Sequence, residues 1–371
     1  MKIFCALHQR RLRDGCCALL AALAIAIAAG AQAGEASQAN AFQDTLDVPA
    51  IAQSKLAERS LIGITHAGQR LVAVGLRGLI TFSDDQGVTW TQASVPVQSD
   101  LLAVQFPQPD QGWAVGHDGV VLHSDDAGKT WRKQLDGASA ERQARDYYAP
   151  MASSGDAGAT EALAVIDANY RSGASLPWLD VWFSDTRHGY VVGAFGSLMA
   201  TVDGGKTWQP WLLHIDNPDG LHLNSIRGIN SSIYIAAEQG SVFRLDTSGQ
   251  RFERLATGYT GSFFGVAGNA RTLLAYGLRG TVYRSADNGN SWVPIKTPSQ
   301  ATISAGTTVP GVGFVLVNSA GQLLVGDDHP DSLRIVSLDR YMRLTSVIAL
   351  RDSAVALTGL TGVVEKQLAS R

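Results

Sequence analysis

Short apolar runs, each broken by glycine or a polar pair, follow one another from residue 61 onward: Leu61-Ile-Gly-Ile-Thr-His, then Arg70-Leu-Val-Ala-Val-Gly, then Gly78-Leu-Ile-Thr-Phe-Ser. Runs of about five residues rich in Val, Ile and Leu are too short for helices, and the glycines between them supply tight turns. This stretch therefore predicts three antiparallel strands. The phrase restarts near residues 101, 178, 223, 262, 302 and 344, at intervals close to 40 residues apart from one gap of 77. A period of ~40–45 residues with four short strands per unit is that of a propeller blade. Seven starts predict an all-β, seven-bladed β-propeller. The seventh unit runs out after three strands, while Thr45-Leu-Asp-Val-Pro-Ala-Ile51 is left over at the front. A ring has no free edge when such a leftover becomes the outer strand of the last blade, and that closure is expected here. The propeller then occupies 60–371, preceded by a segment, 34–59, that holds the closing strand.

Four units end in one phrase: Ser83-Asp-Asp-Gln-Gly-Val-Thr-Trp90, Ser124-Asp-Asp-Ala-Gly-Lys-Thr-Trp131, Thr201-Val-Asp-Gly-Gly-Lys-Thr-Trp208 and Ser285-Ala-Asp-Asn-Gly-Asn-Ser-Trp292. This is the Asp-box pattern S/T-x-D-x-G-x-T/S-W of sialidases and other BNR-repeat proteins. Asp85, Asp126, Asp203 and Asp287 can accept backbone N–H groups across a hairpin. The glycine supplies positive φ, and Trp90, Trp131, Trp208 and Trp292 pack beneath the turn. The boxes are read as structural. A calcium loop needs more carboxylates at alternate positions and a closing glutamate, so no metal is expected. The fourth unit keeps a worn box around Asp246 and Gly249 with Phe252 in the tryptophan role, and the sixth has Asp328, Pro330, Ser332 and Leu333 in register.

Ahead of the repeats, Lys2, Arg10, Arg11 and Arg13 precede an apolar run from Cys16 to Ala29, followed by Ala31-Gln-Ala33. A basic start, a short apolar core and an A-x-A site predict a secretory signal peptide over 1–33, hence export to the periplasm or the cell exterior. An uncleaved anchor is the alternative. Cys16 and Cys17 open the apolar run and do not follow it, which argues against a lipoprotein signal. All three cysteines fall in this segment, so the mature chain has neither disulfides nor thiolate chemistry. Without residues 1–33, 26 Lys+Arg face 32 Asp+Glu, a net charge near −6. That lacks the basic footprint of a nucleic-acid binder. No other stretch is apolar enough to span a bilayer.

Propeller geometry puts the Asp boxes on one face and the turns between second and third strands, with the links between blades, on the other. Those turns present Leu76-Arg77, His117-Asp118, Ala194-Phe195, Glu238-Gln239, Leu278-Arg279, Ser319-Ala320 and Leu360-Thr361. They are either ordinary solvated turns or a mixed polar ring for a partner, in which arginine forks onto carboxylates. The candidate partner-binding residues are Arg77, His117, Asp118, Phe195, Glu238 and Arg279, together with Arg227 on an innermost strand. The 77-residue gap holds an insertion, roughly 136–175, with Tyr147-Tyr148 and a stretch in which Leu163, Ile166 and Tyr170 share a helical side. It reads as partly helical, with 153–158 as a flexible break, and either as a lid carrying Tyr147 and Tyr148 toward a partner or as a loosely ordered ornament. His188 and His214 show no metal-ligand spacing.

The repeated Val-Gly-x-x-Gly-x-[Ile/Val]-x-x-Ser-x-Asp-x-Gly-x-Thr-Trp phrase after an export signal resembles the photosystem II stability/assembly factor family and its bacterial relatives, over about residues 60–368. The resemblance implies an exported, non-enzymatic propeller that helps assemble a membrane protein complex, with an arginine-bearing face for binding; Arg77 and Arg279 match such a patch. The large insertion departs from it, and the partner it implies is a membrane complex or transporter, with no cofactor. The rival class is a sialidase-type glycoside hydrolase. That needs an arginine triad, a tyrosine–glutamate pair and an acid in the channel, whereas the innermost strands carry Arg227 alone and no glutamate, and the Arg-Ile-Pro signature is missing. Asp180, Asp118 and Glu238 are the nearest carboxylates for other glycosidases, with no pattern joining them. A glycan platform would use Trp113, Trp178 or Trp182, of which Trp182 is expected to pack between blades.

Overall fold

A computed structural model describes residues 43–351 and 353–369, so the expected signal peptide over 1–33 lies outside the described residues. Seven antiparallel sheets follow one another along the chain, six with four strands and the last with three, each in simple up-and-down order. Their innermost strands are Leu61–Ala67, Leu101–Gln105, Trp178–Phe183, Leu223–Ile229, Phe263–Gly268, Ile303–Val309 and Leu344–Ala349. These fall within a residue or two of the sequence expectation.

The reason for the long apolar runs is visible in the packing. Each second strand lies between two neighbouring blades and is buried on both sides, as in Arg70–Gly75 and Gly313–Asn318. Such strands lose the usual alternation and become continuously apolar. The core of the propeller is divided into clusters, each shared by two neighbouring blades. Leu101 and Trp131 of blade two pack with Val72 and Val74 of blade one, and Trp113 and Val115 of blade two pack with Val181 and Phe183 of blade three. The circle is completed where Leu61 and Leu71 of blade one meet Ala354 and Ala356 of blade seven. At that seam the Thr345 hydroxyl donates to the Leu61 carbonyl at 2.7 Å and the Ser60 hydroxyl to the Leu360 carbonyl at 2.6 Å.

The expected closing strand is not formed by residues 45–51. Among the described residues the seventh sheet ends with Gly362–Gln367. The 45–51 segment instead follows the outer side of blade one: the Ala50 N–H donates to the Val95 carbonyl at 3.0 Å and the Gln98 N–H to the Thr45 carbonyl at 2.7 Å. The fourth strand of blade one, Thr91–Gln92, is short, and the 45–51 segment supplies partners for Val95 and Gln98 just beyond it. A single 3₁₀ turn, Leu56–Glu58, then brings the chain against the start of the last strand, where the Ala57 carbonyl lies so close to Gly362 that a Cβ there would be 2.0 Å away.

The insertion between blades two and three is an ordered helical hairpin, α1 (Gly137–Ser153) and α2 (Ala157–Tyr170). Asp136 and Asp156 cap the two helices by accepting the Ser139 and Ala159 N–H groups, each at 2.9 Å. The expected flexible break is a tight turn, tied by Ser154, Gly155 and Asp156 N–H groups donating to carbonyls of α1. Ala144, Tyr148, Ala159, Ala162 and Ile166 form a small core of its own, which rests on Leu212 and Leu213 beside the outer strand of blade three.

Candidate functional site: the turn face and the central channel

The Asp boxes are hydrogen-bonded hairpins. In the first, Asp85 accepts the Thr89 N–H at 2.8 Å, the Thr89 hydroxyl at 2.5 Å and the Ser83 hydroxyl at 2.7 Å, and Trp90 Nε1 donates to the Gly87 carbonyl at 2.9 Å. The Thr89 hydroxyl and N–H hold the Asp85 carboxyl down at about 2. Asp126, Asp203 and Asp287 repeat the arrangement on Thr130, Thr207 and Ser291. Trp131 and Trp292 repeat the indole bond, but the buried Trp208 Nε1 has no acceptor among the described residues. Each of these four aspartates is thus bonded within its own hairpin.

On the opposite face, the turns Leu76–Gly78, His117–Gly119, Ala194–Gly196 and Leu278–Gly280 are single 3₁₀ turns built alike. Each is entered through an extended glycine: a Cβ on Gly75 would lie 2.2 Å from the Ser60 carbonyl. The middle residue is left-handed, with φ 57° at Arg77, 59° at Asp118, 53° at Phe195 and 57° at Arg279. Bulky side chains in that region store strain of about 1 kcal/mol or more, and such strain gathers at functional positions.

The surroundings differ around the ring. Asp118 is half-buried and accepts the Ser99 hydroxyl at 2.7 Å and the Thr45 hydroxyl at 3.0 Å, while Glu238 accepts the His222 N–H at 2.9 Å. His117 is exposed, and Phe195 is exposed with its edge against the His222 ring. Arg77 and Arg279 are exposed, and among the described residues neither guanidinium has an ion-pair partner. They sit on blades one and five. Arginines outside these turns join the same arc: the half-buried Arg59 just ahead of blade one, and the exposed Arg340 and Arg343 on the link between blades six and seven. Tyr341 between the last two is 77% exposed. The Leu360 N–H donates to the Arg343 carbonyl at 3.1 Å, joining that link to the blade-seven turn. Leu76, Leu278 and Leu360 show apolar surface along the same arc. The turn face is therefore divided into an arginine and leucine arc on blades five, six, seven and one, and an arc with Asp118, Phe195 and Glu238 on blades two to four.

Three expected residues lie elsewhere. Tyr148 is fully buried with its hydroxyl on the Pro210 carbonyl at 3.2 Å, so it packs the hairpin and is no contact residue. Tyr147 is half-buried beside it and takes a bond from Gln209 at 2.6 Å. The hairpin leaves from the turn face, where Gly137 touches Gly119, but lies along the flank of blade three and does not cover the channel mouth as a lid. Arg227 is in the channel. Its Nη1 donates to Asp180 at 2.5 Å and to the Ile226 carbonyl at 2.7 Å, linking blades three and four. Burial opposes its charge, but the Asp180 carboxylate more than offsets this and raises its pKa.

The channel is a cavity of about 650 Å³ lined by all seven innermost strands. Among its described lining residues Asp180 and Arg227 are the charged ones. Asp180 accepts the Val181 N–H, the Ile226 N–H and Arg227, and among the described lining residues no second carboxylate stands beside it. Trp113 and Trp178 are buried, the first stacked on Phe183 at 3.7 Å, so neither is a sugar platform. Trp182 packs between blades, over Gly228.

These features define the chain as a seven-bladed Asp-box propeller with a divided, arginine-bearing turn face. Its sequence matches the family described as "Photosynthesis system II assembly factor YCF48" over residues 62–155 and 173–325, more than half of the chain, and it belongs to that family. The interruption coincides with α2. Among curated relatives, the photosystem II assembly lipoprotein Ycf48 of Synechococcus sp. (strain CC9902) is 31% identical over 118 residues, 31% of this chain and 35% of that protein. The photosystem II assembly protein Ycf48 of Thermosynechococcus vestitus is 42% identical over 66 residues, 16% of this chain and 19% of the relative. These alignments span about a third or less of the relatives' own length. Two solved structures, titled "YCF48 bound to D1 peptide" and "YCF48 from Cyanidioschyzon merolae", superpose with TM-scores of 0.61 and 0.60 at 14% and 15% identity, covering 87% and 84% of this chain and 100% and 96% of theirs. The WD40 propeller domain of Doa1 does so at 0.58 with 8% identity, covering 86% of this chain and 95% of its own. At such identities the likeness is one of fold, and fold alone does not select a function.

Proposed function

We propose that this protein is an exported binding scaffold that holds a segment of a membrane protein, or of a complex under assembly, on its turn face, without catalysing a reaction. The observation that carries the reading is the arc from Arg279 through Arg340, Tyr341, Arg343 and Leu360 to Arg77. Its two turn arginines are strained, exposed and without an ion-pair partner among the described residues, and they stand beside exposed leucines. Arginine and aromatic side chains set among apolar ones are the usual anchors of protein recognition, and unpaired guanidinium forks suit acidic or carboxylate-bearing segments. The family membership, and the peptide named in one relative's structure, support a protein segment as the ligand. The apolar leader at residues 16–29 and the lipoprotein names of relatives support export, with the periplasm as the compartment.

The experiment is affinity capture from the detergent-solubilised envelope of the source organism, with the mature chain as bait. A membrane protein should be retained by the wild type and its recovery reduced at least about tenfold by Arg77→Glu with Arg279→Glu. Equal recovery by a folded double variant would overturn the site assignment.

A further inference from the structure

The channel wall mixes polar residues with apolar ones, and one polar group in it is left half used. Arg227 projects from the innermost strand of blade four with its side chain 48% exposed. Asp180 and the Ile226 carbonyl both take Nη1. Nε and Nη2, the side-on fork, donate to no described residue, and Arg227 lines the cavity. That fork matches the two oxygens of a carboxylate at bidentate spacing.

A second group reaches the same space. Tyr276 belongs to the second strand of blade five, yet it lines the channel because Gly265 and Gly306 have no side chains: a Cβ on Gly265 would lie 2.4 Å from its hydroxyl oxygen, and one on Gly306 2.9 Å from its ring. Any other residue at either position would shut the tyrosine out. Across the channel, blades six, seven and one contribute Thr308, Ser346 and Thr65, whose hydroxyls have no hydrogen-bond partner within the described protein. A cavity of about 650 Å³ is within the range of small-ligand sites.

We propose that the central channel binds a small hydroxylated carboxylate of the sugar-acid type, with the Arg227 fork on the carboxylate, the Tyr276 hydroxyl beside it and the hydroxyl-lined opposite wall on the polyol. Asp180 holds the guanidinium in place and spends its own charge on doing so, which leaves the free fork as the electropositive point. The site is separate from the turn face and stands whether or not that face holds a protein.

Isothermal titration of the mature chain with gluconate, sorbitol and inorganic phosphate is the test. Gluconate should bind saturably, with sorbitol and phosphate each at least about tenfold weaker, because one lacks the charge and the other the polyol. Arg227→Gln should lose at least about tenfold in gluconate affinity. Because Arg227 also bridges blades three and four, Arg227→Lys is the companion variant: it keeps the charge on Asp180 but has no fork, and it too should bind weakly. The Arg77→Glu, Arg279→Glu double variant should bind gluconate as the wild type does. Absence of saturable gluconate binding to the wild type, equal binding of sorbitol or phosphate, or undiminished binding by Arg227→Lys would each overturn the proposal.

Discussion

Two residue-level features make acid the weak side of this protein. Asp85 is held at about 2 by Thr89 and Ser83, and Asp126, Asp203 and Asp287 are lowered within the same box. A carboxylate lowered by folding stabilises the native state above its ordinary range and loses that contribution as pH falls through the folded value, here from about 4 toward 2. His123 acts earlier. It is buried beside Trp113, its Nε2 contacts Gln111 and its Nδ1 has no partner, so burial pushes its pKa down to about 4. The folded state keeps this ring neutral while the unfolded chain protonates it near 6.5. Stability is therefore complete above that value and falls by on the order of 3 kcal/mol between about pH 7 and pH 4. Urea midpoints measured across that window should fall for the wild type and stay nearly level for His123→Gln. At Arg279 the expectation runs the other way. Arg279→Gly removes a left-handed bulky residue and should raise unfolding free energy by about 1 kcal/mol while weakening partner capture, as read by denaturant titration and pull-down on the same sample.

Among the elements, the blades were legible because each states its own period. A twofold-buried strand, a glycine turn and a box recur with little variation, and even the worn fourth box keeps Asp246 accepting the Gln250 N–H at 2.8 Å and Phe252 buried. The insertion was legible as helical from Leu163, Ile166 and Tyr170, but not its placement. Tyr148 looks like a contact residue in sequence because buried and exposed tyrosines share one spelling, and only the packing of α1 against Pro210 separates them. The arginines at 59, 340 and 343 escaped the turn alignment because they lie outside those turns, on segments that vary in length and have no common frame. The hairpin leaves and rejoins the propeller at one point: a Cβ on Gly137 would sit 1.9 Å from the Ala174 carbonyl. With its own small core and adjacent ends, it should be dispensable. Replacing residues 138–173 with a short Gly-Ser bridge is expected to leave a cooperatively folding propeller by circular dichroism and thermal melting.

At the scale of the whole molecule, the ring closes through side chains and links at the blade-seven seam, with residues 45–51 diverted to blade one. Counting strands predicted the number of blades correctly but could not predict this diversion, in which the segment pairs with backbone just beyond the short outer strand of blade one. The closed ring gives the molecule two faces of different character. The Asp-box face is stabilised within itself, although Val88 and Val202 are 78% and 63% exposed there; the turn face carries arginines without an ion-pair partner among the described residues. The central claim is that the turn face is the working one, and exposed apolar surface on both faces makes a direct comparison possible. A photo-crosslinking residue placed at Leu278 or Leu360, and separately at Val88 or Val202, should be irradiated in intact cells and the adducts resolved by mass. The account predicts a discrete protein adduct from Leu278 and Leu360 and none from Val88 and Val202. An adduct confined to the Asp-box positions would contradict it.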